Sequence, residues 1–145
     1  MEIYTTGFTK KSAAEFFESL RKAEIERLVD VRLNNSSQLA GFTKKQDLAY
    51  FLRELCQAEY KHEPLMAPTP PMLRDYRAGK ISWEEYSAQF NALLRERRLD
   101  QVIERSYFLK RTVLLCSEKE PARCHRRLVA EYLQEKWTNV AVIHL

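Results

Sequence analysis

Five short runs rich in β-branched and apolar residues, set apart by stretches with helical spacing, constrain this chain more than any other feature. They are "EIYTT" up to Gly7, "RLVDVR" at 27–32, "EYKHE" at 59–63, "RTVLLC" at 111–116 and "VAVIHL" at 140–145. Between the first two, Ser12-Ala-Ala-Glu15 forms a capping box, which opens a helix carrying Phe16, Phe17 and Leu20, with Ile25 beyond. Thr43-Lys-Lys-Gln46 predicts a second box and a helix with Leu48, Phe51, Leu52 and Leu55 inward. Ser82 to Glu85 is a third box, ahead of Trp83, Tyr86, Phe90, Leu93 and Leu94. A last helix is predicted from Pro121, whose missing N–H costs nothing at a first helical position, with Leu128, Val129, Tyr132 and Leu133 buried. The segment "PLMAPTPPM" holds prolines 64, 68, 70 and 71 and predicts no regular element.

Strand–helix alternation with crossovers of this length predicts an α/β fold: a mostly parallel sheet of about five strands covered by helices. The 145 residues fit a single domain over 1–145, without an internal repeat or a linker-like shift in composition. No basic start followed by an apolar stretch is visible, and no run approaches the roughly 20 apolar residues of a membrane span, which predicts a cytoplasmic protein with no membrane partner. Cys56, Cys116 and Cys124 are an odd number of cysteines, read as free thiols in a reducing compartment.

In a parallel sheet, ligands bind outside the carboxyl ends of the strands. Those ends would bring Thr5, Thr6, Asp30, Arg32, Tyr60, His62, Cys116 and His144 to one edge. Asp30 and Arg32 flank Val31 at period two and so share a face, either as a functional pair or as a charge-matched structural one. Tyr60 and His62 are related in the same way.

At that edge stands "LLCSEKEPARCHRR", 114–127. With a helix starting at Pro121, its free early amides and the guanidinium groups of Arg126 and Arg127 would favour an anion. Cys124 in that first turn reads as a nucleophile with a depressed pKa, or as a small buried apolar residue. His125, about 100° round the helix from Cys124, aligns with Leu128, Val129 and Tyr132 and turns toward the sheet, with Asp30 as a partner. That divergence, and the lack of CxxC or HxxxH spacing, argues against zinc on Cys116, Cys124 and His125, so no metal and no cofactor is expected. Glu118 is placed as a general acid/base or as a partner for an arginine. From Cys116 the arginine comes one place too late for a C-x5-R phosphatase loop, and no GxxxxGK[ST] is present.

The runs "IYTTGF", "LVDVR", "SSQLAGF", "YKHEPLMAPT" and "LLCSEKEPARCHRRLVAEYL" resemble the bacterial family called domain of unknown function 488, over nearly the whole chain. The resemblance implies an α/β fold and one shared site, with polar residues carried over to Thr5, Gly7, Asp30, Arg32, Tyr60, Cys116, Glu118, Cys124, His125 and Arg126. Many members read "TIGHS" where this chain has "TTGFT", so Phe8 stands in place of a common histidine. The resemblance brings no activity with it.

Charge adds a partner class. Residues 95–127 hold ten Lys/Arg against five Asp/Glu, whereas the whole chain carries only +4. A small anionic ligand, phosphorylated or nucleotide-like and acted on by an enzyme, is the leading reading. Its rivals are nucleic-acid binding through Arg95, Arg97, Arg98, Lys110, Arg111, Arg123 and Arg127, and a regulator that binds a ligand without chemistry. The predicted site is Asp30, Arg32, Glu118, Cys124, His125 and Arg126, under a lid formed by 64–71.

Overall fold

In the computed structural model, which describes residues 1–35, 41–118 and 121–145, all five runs are strands. They are β1 (Glu2–Gly7), β2 (Arg27–Asp30), β3 (Glu59–His62), β4 (Thr112–Cys116) and β5 (Ala141–His144). Every pairing is parallel, in the order β3-β2-β4-β1-β5. The last strand to enter the centre, β4, separates β2 from β1, and its register sets Gly7 against Cys116 and Asp30 against Leu115. The carboxyl ends of the three central strands therefore finish at one level.

Side chains alternate across a strand, and here the alternation separates two cores. Ile3, Val29, Leu114 and Cys116 face α4 (Trp83–Arg97) and α6 (His125–Lys136), which contribute Phe90, Leu94, Leu128, Val129 and Leu133. Tyr4, Leu28, Val113 and Leu115 face α1 (Ala13–Lys22) and α2 (Lys45–Phe51), which contribute Phe16, Phe17, Leu20 and Leu48. With both faces covered, the strands read as near-continuous apolar runs, and each fully buried leucine or phenylalanine contributes about 1.5–3 kcal/mol. No helix among the described residues is long and apolar enough to cross a membrane.

The box at Ser12 forms in full, and Ser82 caps its helix through the Glu85 amide without the return bond to its own N–H. The one at Thr43 does not form. Thr43 lies in a 3₁₀ turn, its carbonyl accepts Arg32 Nη2 at 2.6 Å, and the cap of α2 passes to Lys44, which makes no side-chain capping bond. Leu55 also departs from expectation, 47% exposed instead of buried. The chain widens into a π turn at Leu52–Cys56, which advances each side chain less around the axis and carries Leu55 off the inner face.

The proline-rich segment is more ordered than its composition suggests. Pro64–Met66 form a 3₁₀ turn, and Pro70 and Pro71 open α3 (Pro70–Arg77), whose cap is Thr69. Proline is at home in a first helical turn because no N–H is needed there. Met66 and Ala67 are buried, and Arg97 Nη1 donates to the carbonyls of Leu65 at 2.9 Å and Ala67 at 2.7 Å. The segment 64–67 is thus pinned to α4, and it is α3 that reaches the carboxyl edge.

Pro121 does not begin a helix. Residues 121–123 form a turn closed by Cys124 N–H to Pro121 O at 3.2 Å, and Cys124 is the extended N-cap (φ −134°, ψ 136°) of a helix that begins at His125. Ala122, Arg123 and Cys124 therefore lie before the first turn, not in it.

Candidate functional site

Asp30 at the end of β2 is fully buried and holds the edge together. Its two carboxylate oxygens accept Arg32 Nε at 2.9 Å and Nη2 at 2.7 Å, a bidentate pair, and also the Arg32 amide and the Tyr60 hydroxyl. Burial and the adjacent carboxylate push the Tyr60 phenol well above its usual value, so it stays a donor. His62 donates from Nε2 to the Arg32 carbonyl at 2.7 Å. Tyr60 and His62 brace the pair from β3, and neither lines the neighbouring cavity.

On the other side of β4, Gly7 packs against the main chain of Glu118. A Cβ at Gly7 would fall inside the Glu118 carbonyl and come within 2.9 Å of Arg126 Nη1. Glycine is therefore required by close approach, not by turn geometry. Arg126 is fully buried; its Nη1 donates to the Glu118 carbonyl and its Nε to Thr5 Oγ1 at 3.3 Å. Thr5 Oγ1 also meets His144 Nδ1 at 2.5 Å. Arg126 and Thr5, both expected as ligand contacts, are off the cavity wall and anchor the 117–118 loop to β1 and β5.

Between these two arrangements opens a cavity of about 570 Å³, within the range of small-molecule sites. Its floor is Cys116, Cys124 and His125, and its rim carries Arg32, Arg77, Arg123 and Glu118. Phe8, Tyr76, Trp83 and Tyr86 form an aromatic wall. Tyr76 lies 4.7 Å from Tyr86, Trp83 stacks on Tyr86 at 5.6 Å, and Phe90 meets His125 edge-on behind them. Phe8 packs under the Arg32 guanidinium at 5.2 Å. Arg32 is 4% exposed, and its Nη1 is buried without an acceptor among the described residues. An unpaired N–H on a buried charged group is costly, and it is the kind of defect a ligand repairs.

His125 turns inward as its spacing predicts, but its partner is the Val31 carbonyl, 2.7 Å from Nε2, one residue along from Asp30. Cys116 Sγ lies 3.5 Å from Nδ1 and 3.8 Å from Nε2. Of the two readings of Cys124, the thiols fit the buried one better. A hydrogen bond from Cys124 lowers the Cys116 thiol against the effect of burial, helped by the Ser117 amide and the charge of Arg126. Burial, and then the donation of its proton to Cys116, pushes the Cys124 thiol well up. The expected depression at Cys124 rested on a first-turn position that it does not occupy. For the same reason Cys124 and His125 do not diverge: Cys116, Cys124 and His125 each offer a donor atom within 4.8 Å of the others, and all three residues are buried.

The basic residues of 95–127 are scattered. Lys110 and Arg111 sit at the amino end of β4, paired with Glu59 and Glu24, while Arg123 and Arg127 lie beyond its carboxyl end. Arg97 is engaged by the 64–67 turn, and Arg127 bonds the Ala122 carbonyl.

The family model for the domain of unknown function DUF488 matches residues 12–133. The chain belongs to the DUF488 family. The DUF488 span takes in Asp30, Arg32, Tyr60 and the stretch from Cys116 to Arg126, and leaves β1 with Thr5 and Gly7 outside it. No curated protein and no solved structure matches the chain. Of the stretches that resemble DUF488, Ser36–Ala40 of "SSQLAGF" and Lys119 and Glu120 of the last motif lie outside the described residues.

The edge thus gathers Asp30, Arg32, Cys116, Glu118, Cys124 and His125 as the sequence predicts. It adds Arg77, Tyr76 and Trp83, which the sequence does not assign to a site, and Arg123, which the sequence assigns only to the nucleic-acid reading. For Trp83 and Tyr86 the signal was there, as an aromatic face at helical spacing, but it was indistinguishable from core. Arg77 had no signal, since only the fold back from α3 into α4 brings it to the edge.

Proposed function

We propose that the carboxyl-edge cavity is a small-molecule site for a phosphorylated, nucleotide-like ligand, and that the thiol–imidazole cluster at its floor is where chemistry on that ligand occurs. One observation carries the reading: Arg32, paired with Asp30, lines the cavity and has a buried Nη1 with no acceptor among the described residues. A phosphate or carboxylate oxygen supplies the missing acceptor, and arginine's planar fork suits it. Arg77 and Arg123 add positive charge at the rim, where Glu118 is the single carboxylate among the described lining residues. The aromatic wall of Tyr76, Trp83 and Tyr86 offers a flat apolar surface for a base or another planar group. Of the expected anion-binding pair Arg32 and Arg126, this reading keeps Arg32 and puts Arg77 and Arg123 in place of Arg126. The cations of 95–127 are dispersed and several are engaged within the fold, which favours this reading over a nucleic-acid surface, since that requires a continuous basic track.

Trp83 makes the test direct. The chain has 2 tryptophans, and a Trp137→Phe background leaves Trp83 as the only reporter. Nucleoside phosphates, sugar phosphates and inorganic phosphate should be titrated against its emission, alongside short oligonucleotides. A saturable change with a nucleoside phosphate, weakened roughly tenfold or more by Arg123→Ala, is the expected result. If no phosphate-bearing small molecule perturbs Trp83, or if oligonucleotides alone do so with steep salt dependence, the reading is wrong.

A further inference from the structure

The cluster of Cys116, Cys124 and His125 has a second property. Each residue is buried, each lines the cavity floor, and their donor atoms all lie within 4.8 Å of one another. The imidazole is held for one purpose. The Val31 carbonyl can only accept, so Nε2 carries the proton in their 2.7 Å bond and, in the neutral ring, Nδ1 keeps its lone pair. Orientation of a ligating histidine by a backbone carbonyl on its other nitrogen is the usual support of a metal site.

Distances agree. With Zn–S near 2.3 Å and Zn–N near 2.0–2.1 Å, tetrahedral zinc separates a nitrogen ligand from a sulfur ligand by about 3.6 Å; Cys116 Sγ stands 3.5 Å from His125 Nδ1. Its near-equal 3.8 Å distance to Nε2 places the sulfur beside the ring, so metal capture would swing the thiol toward the Nδ1 lone pair. Two soft sulfurs and an imidazole select zinc over magnesium or calcium, which take oxygen ligands.

We infer that Cys116, Cys124 and His125 form a three-ligand site for Zn²⁺, with the fourth coordination position open to the cavity. Binding converts both thiols to thiolates and releases their two protons to solvent, so the charges of Zn²⁺ and two thiolates cancel beside the buried Arg126. Three protein ligands and an open position are the pattern of a catalytic rather than a structural zinc. The fourth ligand would be a water or an oxygen of the cavity's occupant. Only that last point rests on the anion-site reading; metal binding is tested without any phosphorylated ligand.

The test titrates the metal-stripped, reduced full chain with Zn²⁺ alone and with Co²⁺ as a coloured stand-in. One ion per chain, thiolate-to-cobalt charge transfer in the near ultraviolet, tetrahedral ligand-field bands and release of two protons are expected. Zinc should protect two of the three thiols from alkylation and leave Cys56 reactive. Cys124→Ser, nearly isosteric and checked for folding by circular dichroism, should weaken zinc at least ~100-fold, whereas Cys56→Ser should leave affinity unchanged. Binding that survives Cys124→Ser, or a cobalt spectrum without thiolate charge transfer, overturns the assignment. So does failure of the folded wild-type chain to take up zinc. If zinc binds and Trp83 ignores phosphates, this site stands and the anion reading falls.

Discussion

Gly7 and Glu118 are in main-chain contact across the end of the sheet: the glycine Cα lies where any side chain would displace the Glu118 carbonyl. That carbonyl also receives Arg126 Nη1, so the position of the 117–118 loop, and with it the cavity rim, depends on a missing Cβ. Gly7→Ala should cost about 3 kcal/mol or more, because the atom it meets is backbone and cannot turn aside. Gly41→Ala, with no atom within 4 Å of its Cβ, should be close to neutral. Urea denaturation of the two variants checks the contrast.

The Asp30–Arg32 pair predicts a strong asymmetry. Both side chains are almost wholly buried, 0% and 5% exposed. Asp30→Asn leaves a buried guanidinium without its counter-charge and should lose about 3–5 kcal/mol. Asp30→Asn combined with Arg32→Gln should recover part of that loss. A double-mutant cycle by chemical denaturation measures it, and simple additivity would mean that the pair is not coupled.

Arg97 and Arg98 are adjacent in one charged run yet have unlike roles. Arg97→Ala removes donors to the Leu65 and Ala67 carbonyls and should cost about 1–3 kcal/mol. Arg98 ends α4 in the left-handed region at φ 52°. Arg98→Gly should therefore be neutral to stabilising, by up to about 1 kcal/mol. Thermal melts of the single variants would separate the two; equal losses would contradict the geometry.

His144 gives the stability a pH dependence of known sign. Burial and the charges of Arg126 and Arg127 lower its pKa, with Glu131 opposing them. Thr5 Oγ1 accepts Arg126 Nε and lies 2.5 Å from His144 Nδ1, so a proton added to the imidazole is placed close to the buried Arg126 charge. A lowered folded pKa means that the unfolded chain takes the proton first. This contribution is complete above the unfolded value of about 6.5 and is lost as pH falls from there through the folded pKa. The stability of His144→Asn, followed by denaturant titration between about pH 5 and pH 7.5, should show a smaller slope than wild type; an unchanged slope would remove His144 from the account.

The period-two apolar runs and the helical spacings between them were enough to determine the five strands, their parallel sense and the edge where their carboxyl ends meet. Both signals are local: alternation of sides in a strand and 3.6-residue spacing in a helix are written residue by residue. That much brought Asp30, Arg32, Cys116 and His125 together before any coordinates. Which arginine faces the cavity was decided by packing alone. Arg126 is drawn under the Glu118 carbonyl that Gly7 leaves room for, while Arg32, far from it in sequence, is locked by Asp30 and Thr43 with Nη1 lacking an acceptor among the described residues. Cys124 turned on a few degrees of freedom in the 121–124 turn: as the extended N-cap it joins Cys116 and His125, and one turn further into a helix it would have pointed away from them. Capping and close approach depend on contacts between residues about a hundred positions apart, such as Gly7 with Glu118 and Val31 with His125, and no local pattern in a sequence encodes them.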